Sequence, residues 1–122
     1  MNGQSLPHGH DRSLEQLISS LPSTEDFELV ATRFKQLCDG SRIRIFWILC
    51  HGEACVVDLS ALVQMSSPAV SHHLRQLKAS GLIVGRREGK EVRYAAAKTP
   101  EAELLHLMVE QMMEISCPTA EK

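Results

Sequence analysis

Apolar residues recur at helical spacing from Phe27 onward. Phe27, Val30, Ala31, Phe34 and Leu37 predict a helix that ends near Cys38, with Ser23 or Thr24 able to cap its start. Asp39-Gly40 reads as a turn, and Ser41 as the cap of a second helix through His51. There Ile43, Ile45, Phe46, Trp47, Ile48 and Leu49 are dense enough for burial on most sides, and Gly52 is the stop. A shorter helix from Val56 to Gln64 would bury Leu59, Leu62 and Val63. Ser67-Pro68 then opens a helix to Ser80, ended by Gly81, with Val70, Leu74 and Leu77 inward and Ser71, Arg75 and Lys78 outward. The period next falls to two: Leu82 and Val84, then Val92, Tyr94 and Ala96, flank a charged tip at residues 86–91, which predicts a β-hairpin. Thr99-Pro100 starts a last helix carrying Leu104, Leu105, Met108, Met112 and Ile115, widened by Leu107, Val109 and Met113. That belt is broader than one small core can cover, so part of it is expected to face a second subunit.

Ahead of these elements, residues 1–22 are polar and read as a flexible arm with one short helix from Ser13 to Ser20. Residues 23–117 then form one domain, and residues 118–122 a tail. A chain of 122 residues fits a single domain, and its longest apolar run, Ile45 to Cys50, is far short of the roughly twenty residues that span a bilayer. The start of the chain has no export signal, so a cytoplasmic location, no membrane partner and reduced thiols are expected for the four cysteines.

The net charge of −2 is unevenly spread. Residues 66–98 hold Arg75, Lys78, Arg86, Arg87, Lys90, Arg93 and Lys98 against Glu88 and Glu91, a local +5 that leaves −7 on the remainder. One basic surface on an acidic body binds a polyanion at one face only.

Two short helices followed by a basic hairpin form the order of a winged helix-turn-helix: mainly α, with a small β-hairpin. The second short helix would enter the major groove of double-stranded DNA, with Ser66, Ser67, Ser71, His72, Arg75, Gln76 and Lys78 available to base edges and phosphates. Arg86, Arg87, Lys90 and Arg93 on the hairpin would contact the backbone. His73 lies on the Val70/Leu74 side and reads as a core histidine.

From the first long helix to the hairpin, four segments carry a family resemblance: Leu37-Cys38-Asp39-Gly40-Ser41-Arg42-Ile43-Arg44-Ile45, Glu53-Ala54-Cys55-Val56-Val57-Asp58-Leu59, Ser67-Pro68-Ala69-Val70-Ser71-His72-His73-Leu74 and Gly81-Leu82-Ile83-Val84 with Arg86-Arg87-Glu88-Gly89-Lys90. Together they resemble the ArsR/SmtB transcriptional repressors over about residues 27 to 115. The resemblance implies a homodimer paired through its first and last helices. Such a dimer binds an operator, an imperfect inverted repeat, and releases it when an inducer binds.

Three inducer sites follow from the resemblance. The family's zinc site on the last helix is effectively absent, because Lys98, Pro100, Gln111 and Glu114 stand at its positions. A second site matches at Cys55 and Asp58, with His8 and His10 on the arm able to complete a tetrahedral set for zinc, cadmium or another thiophilic metal ion. A third pairs Cys50 with Cys117 as redox thiols that sense reactive sulfur or oxidants. Arsenite-like ligation by Cys50, Cys55 and Cys117 is a further variant. His51 and His106 show no ligand partners at helical spacing and read as surface or interface residues; Cys38 reads as packing. No nucleophile with a base, phosphate loop or metalloprotease motif is present, so an enzyme is not expected. The rival class is a protein-interaction module, which predicts no salt-dependent DNA affinity.

Overall fold

The computed structural model describes residues 12–117. The elements run α1 (Arg12–Ser20), α2 (Thr24–Lys35), α3 (Gly40–His51), α4 (Val56–Val63), α5 (Ser67–Ala79), β1 (Ile83–Glu88), β2 (Glu91–Ala96) and α6 (Pro100–Ser116). They fall into two units divided after Arg33.

In the first unit, Ser23 is the cap of α2. Its hydroxyl accepts from the Asp26 amide at 3.1 Å while the Asp26 carboxylate accepts from the Ser23 amide at 3.4 Å, a reciprocal capping box. No residue of α2 is buried.

In the second unit each helix start is fixed by a side chain. Asp39, not Ser41, caps α3: it is extended and accepts from the Arg42 amide at 3.0 Å, which moves the helix start back to Gly40. Ser66 rather than Ser67 caps α5, accepting from the Ala69 amide, and Thr99 does the same for α6 through Ala102. Prolines follow both caps within the first turn, where a missing N–H costs nothing.

The core is one cluster. Ile45, Phe46 and Leu49 of α3 meet Leu59 and Val63 of α4, Val70, Leu74 and Leu77 of α5, Leu82 and Ile83 at the hairpin base, and Ala102 and Leu105 of α6. Leu62 departs from expectation, being 55% exposed: α4 is only two turns long and packs one narrow side inward. The turn into α5 passes through Gln64 in the left-handed region (φ 56°), which closes α4.

The exit from α5 sets the hairpin. Gly81 has φ +79°, its amide donates to the Lys78 carbonyl at 3.0 Å, and the Leu82 amide donates to Leu77 at 3.0 Å, a Schellman ending that only glycine adopts without strain. Strands β1 and β2 pair antiparallel from Ile83↔Ala96 to Glu88↔Glu91, joined by Gly89-Lys90 with positive φ at Gly89 alone, as in a type II′ turn. Ala54 exchanges both backbone hydrogen bonds with Tyr94, so the link between α3 and α4 is stitched to β2. Replacing Gly81 by Val is expected to cost about 1–2 kcal/mol in a urea melt, the penalty for a side chain held at left-handed φ.

Candidate nucleic-acid interface and effector clusters

α5 is amphipathic by construction. Val70, His73, Leu74 and Leu77 are buried, while His72, Arg75 and Lys78 are exposed and Ser71 and Gln76 half-exposed. Ser66 and Ser67 are exposed at the helix start, and Ser67 also shares a 3.3 Å hydroxyl contact with Ser60 of α4. Arg75 and Lys78 are in no ion pair among the described residues, so both cations are available to an outside anion.

The hairpin is different. Arg86 and Arg93 stand opposite each other across the strands. Glu88 bonds both, at 2.8 Å from Arg93 and 3.4 Å from Arg86, and Glu53 holds Arg86 at 2.7 Å. Hydrogen bonds from Arg93 and Arg86 keep the Glu88 carboxyl below its usual range. Arg87 and Lys90 are exposed and in no ion pair among the described residues. The basic tip is therefore half neutralised by its own acids, a pairing that the residue count alone conceals.

His73 is buried and satisfied. Its Nδ1 accepts from Arg42 Nε at 3.2 Å, and its Nε2 lies 3.9 Å from Asp39, so it ties α5 to the start of α3. Arg42 also reaches Gln36 at 3.3 Å.

The expected inducer residues are scattered. His8 and His10 lie outside the described residues. Cys55 is buried at the cap of α4, and Asp58 is exposed in that helix's first turn. Cys50 is half-buried, and burial first, then the Glu110 charge, push its thiol up to about 11. Cys117 is exposed at the end of α6; all four cysteines are free, and Cys38 Sγ bonds the Phe34 carbonyl. Among the described residues, Cys50, Cys55 and Cys117 do not converge on a common point, so three-sulfur ligation within one chain is not supported.

A different cluster does converge, correcting the reading of His51 and His106 as residues without partners. Glu110 Oε2 is 3.2 Å from His51 Nε2, 3.1 Å from His106 Nε2 and 2.8 Å from Trp47 Nε1. The indole is tilted against the His51 ring at 4.0 Å, and the two imidazoles meet edge-on at 5.0 Å. His106 and Glu110, four apart on α6, were visible in the sequence as a pair; His51 joins them only because α3 and α6 pack together.

Beyond Leu105, α6 buries nothing. Leu107, Met112, Met113 and Ile115 are 45–76% exposed, an apolar face out of proportion to a chain of this size.

A polar helix face mounted on a helix-turn-helix, flanked by a basic β-hairpin, defines a winged helix-turn-helix regulator. Residues 39–84 match the family model described as bacterial regulatory protein, arsR family. A transcriptional repressor SmtB homolog from Synechocystis is 32% identical over 108 residues, covering 88% of this chain and 82% of that protein. A cadmium resistance regulatory protein CadC homolog from Staphylococcus aureus is 43% identical over 67 residues, covering 54% and 55% respectively. Among solved structures, the homodimeric winged helix-turn-helix domain of a possible ArsR-family regulator from Mycobacterium bovis superposes with a TM-score of 0.67 at 27% identity, covering 100% of this chain and 98% of that one. The chain belongs to the arsR family of bacterial regulatory proteins.

Burial, opposed by Asp39 and reinforced by Arg42, holds the His73 imidazole below its ordinary value. The folded state then binds fewer protons than the unfolded one. Its stabilisation is complete above the unfolded pKa of about 6.5 and declines as pH falls below that. Urea midpoints between pH 7.5 and 5.5 should fall more steeply for the natural chain than for His73→Gln.

Proposed function

We propose that this chain is a homodimeric operator-binding repressor. The observation that carries the reading is the outward polar face of α5, where Arg75 and Lys78 are exposed and in no ion pair among the described residues, on a helix whose other side is buried. Two copies of α5 read successive major grooves of an imperfect inverted repeat, while Arg87 and Lys90, joined by Arg86 and Arg93 after partner exchange, hold the flanking backbone. Pairing uses the exposed apolar residues of α2 and α6, in keeping with the homodimeric relative.

Fluorescence anisotropy with a labelled upstream promoter fragment tests this. Arg75→Ala should weaken binding by about 1–3 kcal/mol and relax sequence preference, whereas Lys90→Ala should weaken all sequences alike and lower the salt slope by about one. An interaction module would show neither effect. In sedimentation, Leu107→Glu combined with Met112→Glu should yield monomers with operator affinity reduced at least tenfold, since a single half-site remains.

The inducer reading that fits best is a thiophilic metal ion held by Cys55 and Asp58 of α4 with His8 and His10. Both α4 residues sit at the same helix end, and a relative carries cadmium resistance in its name. The Cys50–Cys117 thiol pair is weaker on chemical grounds, because a thiol raised to about 11 is almost wholly protonated at neutral pH and a poor nucleophile.

A further inference from the structure

We propose that His51, His106 and Glu110 form a second metal site, built from nitrogen and oxygen ligands alone, that takes a borderline divalent ion such as Zn(II) and clamps α3 to α6. Ion binding stands on the geometry itself; its effect on DNA rests on the repressor reading above.

The spacing is that of a coordination shell. Bonds of about 2.0–2.1 Å at a tetrahedral angle set neighbouring donor atoms about 3.3 Å apart. The two imidazole nitrogens lie 3.2 and 3.1 Å from the same Glu110 oxygen, and all three donor atoms fall within 4.8 Å of one another.

The hydrogen bonding is unbalanced without an ion. One carboxylate oxygen takes Trp47 and both histidines, three donors where an oxygen has about two acceptor directions. An ion replaces the two imidazole protons and leaves the Trp47 N–H on the carboxylate. That N–H is then an outer partner of the kind that orients metal ligands.

Access and selectivity also fit. His51 and His106 line an open cleft of about 410 Å³, and their side chains are 45% and 30% exposed, so an ion can enter and water can fill a fourth position. Two imidazoles and a carboxylate favour zinc, cobalt or nickel over the softer ions that need thiolates.

The site joins two functional parts. His51 ends α3, which packs on the reading helix α5, while His106 and Glu110 lie on α6, whose outer turns carry the exposed apolar face. Fixing α3 to α6 changes how the reading unit is carried by the pairing helix, and with it the spacing of the two α5 helices.

Trp47 is the sole tryptophan and lies within the cluster, so its emission reports occupancy. The full chain is titrated with Co(II) and Zn(II). In Cys55→Ser, which removes the thiolate site, Co(II) should quench Trp47 and give a visible absorption band without a sulfur-to-cobalt charge-transfer band. Adding His106→Ala or Glu110→Gln to Cys55→Ser, the latter keeping an acceptor for Trp47, should weaken ion binding at least about tenfold. Zn(II) should lower operator affinity at least about tenfold in Cys55→Ser but not in Cys55→Ser combined with His106→Ala. Binding by Cys55→Ser that survives both cluster substitutions, or that is already lost in Cys55→Ser itself, overturns the site. Ion binding with unchanged operator affinity overturns its regulatory role. A chain that takes the ion at the cluster yet ignores promoter DNA at every salt concentration defeats the repressor reading and leaves the metal site standing.

Discussion

The burial of one side of α5 against α3 is the interaction on which the rest depends. Val70, Leu74 and Leu77 lose nearly all contact with water, and burying each such side chain is worth about 1.5–3 kcal/mol. That term fixes the rotation of the helix about its axis, and the rotation decides which residues face outward. Ser71, Arg75 and Lys78 are presented because their neighbours are committed to the core. His73 adds a polar constraint, since its bond from Arg42 holds the α5 axis to the first turn of α3. The Schellman ending at Gly81 then turns the chain into β1, so the hairpin starts directly from the end of α5.

Much of this was legible in the sequence because it is local. The i, i+4, i+7 stripe at Val70, Leu74 and Leu77, the switch to period two after Leu82, and the Pro-marked starts of α5 and α6 each reflect backbone physics within a few residues. Local departures arise where neighbouring residues compete for one role or where a short helix has little inner surface. Asp39 and Ser41 are both good caps, and only the extended backbone at Asp39 decides between them. Leu62 looked inward by hydrophobicity, but a two-turn helix has too little inner surface for it.

The effector chemistry was less legible, for a different reason. Ligand sets are assembled across helices, and periodicity carries no information about which helix lies opposite. His106 and Glu110 were a readable pair; the arrival of His51 and Trp47 from α3 was not. Conversely, Cys50, Cys55 and Cys117 look alike as letters. They part company once environment is known: one half-buried with a raised pKa, one buried at a helix cap, one exposed at a helix end. The same holds for the hairpin, where the count subtracted Glu88 and Glu91 but carried no information on the pairing of Glu88 and Glu53 with Arg86 and Arg93.

If the wing docks on DNA as proposed, those acids give the docking the character of an exchange. Arg86 and Arg93 already have protein counter-ions in Glu53 and Glu88. A phosphate that took their place would leave the displaced carboxylates to find solvent cations of their own. The net number of small ions released would then trail the number of formal positive charges on the wing. On the repressor reading, a tip with four cations would depend on salt more as a tip with two does.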